Sequence, residues 1–134
     1  MAVSIAREGF DLDLRHGQAR EDALVHVMLA SQVEVKSDGL ARRTGNLFIE
    51  YRCRGRASGL AVTTADRWAF EYDDGAWLIV PTDRVRDLAR RALAEDRRAI
   101  GGDDHASEGA LVPLRWFVGR HHTLPVEDLE ARAA

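Results

Sequence analysis

Two stretches of this 134-residue chain set an acid two positions before a base: Glu34 and Lys36 in VEVKS, then Glu50 and Arg52 in NLFIEYRC. Side chains two apart share one face of a strand, so each pair presents a carboxylate and a cation together. If the two strands pair and their apolar faces meet one core, the carboxylates emerge on the other side as cross-strand neighbours about 5 Å apart. Two carboxylates that close repel unless a cation joins them. A hard ion such as Mg2+ takes one or two protein carboxylates and fills its other positions with water or phosphate oxygen. Lys36 alongside would stabilise charge building on a phosphate. Such a group is suited to phosphodiester hydrolysis. The same spacing also describes a solvent-facing strand with surface ion pairs, and the pattern alone leaves both readings open.

The elements around these residues are legible from periodicity. Apolar residues Ala23, Leu24, Val27 and Met28 recur at helical spacing between His16 and Ala30, with Glu21 and Asp22 in the early part where acids suit the helix dipole. VEVK and LFIEY alternate as two-faced strands, and the polar SDGLARRTG between them is short enough for a hairpin. TTADR reads as a short helix capped by Thr63 or Thr64. WAFEY, DDG and AWLIVP read as strand, turn and strand, because Asp-Gly between apolar runs is a strong hairpin signal. Thr82, after Pro81, caps a long helix to about Ile100, with Val85, Leu88, Ala89, Ala92 and Leu93 inward, and GGDD ends it. The order suggests an α/β domain: a small mixed sheet flanked by helices. Residues 1–100 form its core, and 101–134 a C-terminal extension packed on or trailing from it.

Composition narrows the classes. The chain is 46% hydrophobic and 31% charged, and no apolar run reaches the length of about 20 residues that a membrane span needs. The N-terminal stretch lacks a signal-peptide pattern, so a cytoplasmic location is expected. A net charge of -3 argues against a wholly basic nucleic-acid binder. Yet from Lys36 to Arg67 seven basic residues (Lys36, Arg42, Arg43, Arg52, Arg54, Arg56, Arg67) face three acidic ones (Asp38, Glu50, Asp66). Arg42, Arg43, Arg54 and Arg56 in the loops are suited to phosphate contacts, a solvated turn being the alternative. The single Cys53 has no partner for a disulfide or a zinc site. Asp103, Asp104 and His105 match no compact ligand loop, and the adjacent His121 and His122 diverge. There is no phosphate-cradling P-loop, no G-x-G-x-x-G after a strand and no G-x-S-x-G.

The succession VEVKSD, TGNLFIEY, SGLAVTTADRWAF and LIVPTDRVRDLARR resembles phage-type and bacterial members of the PD-(D/E)XK nuclease superfamily, the restriction-endonuclease-like fold that includes Holliday junction resolvases. The resemblance spans roughly residues 10 to 93. It implies a Mg2+- or Mn2+-dependent DNA endonuclease acting on branched or duplex DNA, with a homodimer where both strands are cut. Transferred by position, Glu34 and Glu50 become the metal ligands and Lys36 the charge stabiliser. Glu21 becomes the assisting helical acid, and Arg42, Arg43, Arg52, Arg54 and Arg56 contact DNA. The chain departs from the family pattern at Arg52, which stands where a lysine is expected two after the second acid. Arginine stays protonated and is more naturally a phosphate clamp. A second alignment makes Glu34 and Lys36 themselves the E-x-K, with Asp11 or Asp13 as first acid. The departure keeps a non-enzymatic alternative open: a DNA-binding or scaffold domain that retains the fold without the chemistry.

Overall fold

The structure, a computed structural model, describes the backbone of residues 2–118 and the side chains from residue 12 onward except that of Asp103. Asp11 as a first acid, the His121–His122 pair and the last expected helix or tail lie outside the described side chains. The chain divides into two compact units, residues 1–32 and 33–134.

The first unit is a helix, α1 (Ala2–Ala30). It begins well before the periodicity at His16, because the preceding residues contain no proline and are mostly good helix formers. Glu21 and Asp13 are exposed residues of this helix.

The second unit contains β1 (Val33–Ser37), α2 (Ala41–Thr44), β2 (Asn46–Cys53), β3 (Arg56–Ala57), β4 (Arg67–Asp73), β5 (Ala76–Pro81), α3 (Thr82–Ala94), β6 (Arg98–Gly101), β7 (Ser107–Pro113) and α4 (Leu114–Val118). Its strands form two sheets, β1-β4-β5 and β3-β2-β7-β6. This is a mixed α/β arrangement, but the expected single sheet is two.

The expected β1–β2 hairpin is absent. β1 instead runs parallel to β4, with Glu34 opposite Trp68 and Lys36 opposite Phe70, while β2 pairs antiparallel with β7 and β3. Asp38 redirects the chain. Its Oδ1 accepts the backbone N–H groups of Leu40 and Ala41 at 3.1 Å each, and its Oδ2 accepts that of Phe48 at 2.9 Å. These bonds turn the chain into α2 and deliver β2 to the other sheet, so Glu34 and Glu50 are not cross-strand neighbours.

The expected facing of β1 is also reversed. Val33 and Val35 are 36% and 60% exposed, whereas Glu34 and Lys36 are half-buried. The register explains it: alternation along β1 follows that of β4, whose Trp68 and Phe70 are each 1% exposed in the core. On β2 the expectation holds, with Leu47 and Ile49 fully buried.

One core cluster joins Leu47, Ile49, Trp68, Phe70, Val80 and Val112 to the inner stripe of α3, where Val85, Leu88, Ala89 and Ala92 are buried at helical spacing. Helix α3 ends at Ala94, six residues before the expected Ile100. Asp96 takes a left-handed conformation at φ 58°, and Arg98–Gly101 then forms β6 against β7. Thr82 does not cap the helix with its side chain; its hydroxyl donates to the Ala65 carbonyl at 2.6 Å. TTADR is not helical either, the short 3-10 turn lying earlier, at Gly59–Ala61. The Asp-Gly turn joins antiparallel β4 and β5 as expected, with Gly75 at φ 70°. Strand β7, beyond residue 100, lies between β2 and β6.

Candidate functional site

Sheet pairing places Lys36 and Glu50 on the wall of one cavity of about 430 Å³, although they belong to different sheets. The Lys36 ammonium is 2.7 Å from Glu34 Oε1 and 5.5 Å from the centroid of the Trp68 ring. Its charge also favours ionised Glu50. Lys36 thus pairs with Glu34 and shares a cavity wall with Glu50, sixteen positions beyond Glu34 in the sequence.

Glu50 is held from several sides. β2 carries an irregularity between Glu50 and Arg52, where Glu50 faces Gly109 and Arg52 faces Glu108. The Ser58 N–H donates to the Tyr51 carbonyl at 3.0 Å, and its hydroxyl donates to Glu50 Oε1 at 2.7 Å. Gly59 follows at φ 49°, and a Cβ there would overlap the Glu50 carbonyl oxygen. Only glycine meets both demands without strain. Buried Ser107 supplies a second hydroxyl to the carboxylate. The Ser107 hydrogen bond does most to hold the Glu50 carboxyl below the usual glutamate range; burial opposes it, and Ser58 and the Lys36 charge assist.

Phe48 forms another part of the wall. Its ring rests on the backbone of Gly109, where an added Cβ would overlap it, and of Gly101, where the nearest ring atom would be 3.4 Å away. Asp38 also lines the cavity, but its two oxygens are engaged by the three backbone N–H groups that shape the turn.

The basic residues stand near both ends of β2. Arg42 and Arg43 lie on α2 ahead of it, both exposed, with Arg42 Nη1 3.1 Å from Asp73 Oδ1. At the other end Arg52 Nη1 is 3.7 Å from Glu108 Oε2, while Arg54 and Arg56 are exposed around the turn into β3. Glu21 is in the first unit, on α1.

Among the described residues no group of three or more His, Cys, Asp or Glu side chains is placed to hold a metal. Of the two ligands expected from the sequence, Glu50 lines the cavity, whereas Glu34 is ion-paired with Lys36 and is not among the lining residues. So few carboxylates do not make a closed all-protein cage and would suit only an ion that keeps waters and phosphate oxygens in most of its positions.

Sequence reasoning passed over the roles of Asp38, Ser107, Trp68 and Phe48 in shaping this cavity. Asp38 carried a signal, an acid two and three positions before backbone groups that need an acceptor. Ser107 carried none, since its approach to Glu50 depends on a strand more than fifty residues away. No family model, curated protein or solved structure matches the chain. No helix among the described residues is long and apolar enough to cross a membrane.

Proposed function

We propose that the protein is a divalent-metal-dependent DNA endonuclease of the PD-(D/E)XK, restriction-endonuclease-like kind, working in the cytoplasm. The observation that supports this reading best is that Lys36, ion-paired with Glu34, shares the wall of one cavity with the ionised Glu50. Glu34 and Glu50 are the carboxylates that hold Mg2+ or Mn2+. When bound, such an ion polarises a phosphate oxygen and lowers the pKa of a coordinated water.

The chain's own residues do the rest. Ser58 and Ser107 keep the Glu50 carboxylate oriented and charged. Lys36, relieved of Glu34 when that carboxylate turns to a cation, offers its ammonium to the negative charge that grows on the phosphate. Arg54 and Arg56 at one end of β2, and Arg42 and Arg43 near the other, seat the backbone of the DNA on either side. Arg52 acts as a phosphate clamp after releasing Glu108. Cutting both strands of a duplex or branched substrate takes two such sites, hence a homodimer.

The test is cleavage of branched, duplex and single-stranded DNAs with Mg2+ or Mn2+ by wild type, Glu50→Ala and Lys36→Ala. Metal-dependent cutting lost in both variants supports the reading. Salt-sensitive binding without any cutting by wild type overturns it and leaves a DNA-binding domain that lacks the chemistry.

A further inference from the structure

We infer that the outer face of the β1-β4-β5 sheet is a homodimer interface, on which a second copy of this chain packs so that Arg67 of each copy meets Glu71 of the other. This gives a face to the homodimer that the nuclease reading calls for, and it stands on observations apart from the cavity of Lys36 and Glu50.

The first argument is an open apolar sheet face. Alternation along β4 sends Trp68 and Phe70 into the core, each 1% exposed, and so turns Arg67, Ala69 and Glu71 to the other side. Residues opposite each other on paired strands share a face, so Val33 and Val35 of β1 and Trp77 and Ile79 of β5 join them there. These four large side chains remain open, Val35 at 60%, Trp77 at 47%, Ile79 at 38% and Val33 at 36% exposure. Apolar residues scattered singly over a surface need no partner, but neighbours on three adjacent strands mark a contact surface. Tryptophan is also among the residue types enriched at such surfaces.

The second argument selects the occupant, and it is the order of charge along the middle strand. Arg67 lies two residues before Ala69 and Glu71 two after it, about 7 Å to either side. Among the described residues neither Arg67 nor Glu71 has an ion-pair partner. A cation, a small residue and an anion in line are their own complement under a two-fold axis through the middle. With that axis between the two sheets and crossing the strands at Ala69, β4 runs antiparallel over its counterpart. Arg67 then stands over Glu71 of the partner subunit, while Val35 and Ile79 each meet their own counterparts. An axis along the strands would instead set arginine over arginine and glutamate over glutamate, which like-charge repulsion disfavours. Facing sheets pack about 10 Å apart, a gap that an arginine and a glutamate span together, and the small Ala69 at the crossing lets the sheets close.

The test is sedimentation velocity of the full chain, without DNA or metal, on wild type, Glu71→Arg, Arg67→Glu and an equimolar mixture of the two variants, each first shown to fold by circular dichroism. Wild type is expected to sediment as a dimer at micromolar concentration. Each variant alone sets like charges against each other and is expected to weaken the dimer about tenfold or more. The mixture is expected to recover it, because a face with two basic residues then meets one with two acidic residues. Val35→Glu, at the most exposed of the four apolar positions, is expected to weaken the dimer as well. A wild type that stays monomeric overturns the inference, another part of its own chain then being the cover of this face. A dimer that Glu71→Arg and Val35→Glu leave unchanged overturns it too, as does a mixture of folded variants that does not recover. None of these outcomes decides metal-dependent cleavage at a single site, which the cleavage test above reads separately.

Discussion

The Lys36 ammonium lies 2.7 Å from the Glu34 carboxylate, on a strand whose partner is not the one carrying Glu50. Both side chains are partly open to solvent, at 40% and 35% exposure. Pairs of this kind contribute about 0–1 kcal/mol to stability, so the placement has little structural value of its own. Lys36→Ala should therefore leave the urea midpoint nearly unchanged while abolishing cleavage. A large loss of stability in Lys36→Ala would reassign the residue to the fold.

Glu50 should make stability depend on pH in a defined direction. Its folded-state pKa is depressed, chiefly by the Ser107 hydroxyl and then against burial by Ser58 and Lys36. The contribution is present above the unfolded pKa and is lost as pH falls through the folded one. Denaturation of wild type and Glu50→Gln from about pH 3 to pH 7 should show the two curves converging at the acid end. Parallel curves would contradict the hydroxyl network.

Ser58→Ala removes the 2.7 Å bond to Glu50 Oε1 without touching the β2–β7 ladder. The Glu50 pKa should rise in this variant, moving the acid limb of the cleavage profile to higher pH, and Ser58→Thr should restore it. Carbon-detected NMR titration of the carboxyl reads the shift directly.

Two glycines lie in close contact with the cavity residues Phe48 and Glu50. Gly109→Ala would drive a Cβ into the Phe48 ring, and Gly59→Ala would drive one into the Glu50 carbonyl at a positive φ. Each should cost about 1–3 kcal/mol by overpacking and strain, measured by thermal or urea unfolding. Gly39→Ala, where an added Cβ meets nothing within 4 Å, is the control and should be nearly silent.

The arginines should divide by their present engagements. Arg54→Ala and Arg56→Ala should each reduce the slope of log affinity against log salt by about 1 if each contacts one phosphate. Arg42 has Asp73 at 3.1 Å and 72% exposure, a weak pair that DNA can displace. An unchanged slope in Arg54→Ala, Arg56→Ala and Arg42→Ala alike would remove the basic loops from the interface.

Much of the architecture is written in local pattern. The Asp-Gly turn, the start of α3 at Thr82 and the inward stripe from Val85 to Ala92 follow from neighbouring residues, and all are present. What local spacing does not carry is partner choice. SDGLARRTG is as good a hairpin loop as it is an approach to a helix, and the Asp38 carboxylate decides between them by taking N–H groups on both sides of α2. The end of α3 was hidden for a similar reason: AEDRRAI continues a helical composition, but Asp96 turns left-handed and β6 gains β7 as a partner. At the candidate site, Glu34, Lys36 and Glu50 were visible as residue types at strand spacing. The shared cavity wall of Lys36 and Glu50 depends on pairings of β1 with β4 and β2 with β7 that no window of sequence contains.

The central claim is that Glu34 and Glu50 together hold a divalent cation beside Lys36. Titration of the protein with Mn2+, followed by the loss of the free-ion electron paramagnetic resonance signal, reads it without reference to any DNA. Wild type should bind Mn2+ in competition with Mg2+, and Glu34→Gln and Glu50→Gln should each weaken binding by about tenfold or more. Mn2+ that stays free in the presence of wild type, or binding that neither substitution alters, would contradict the account.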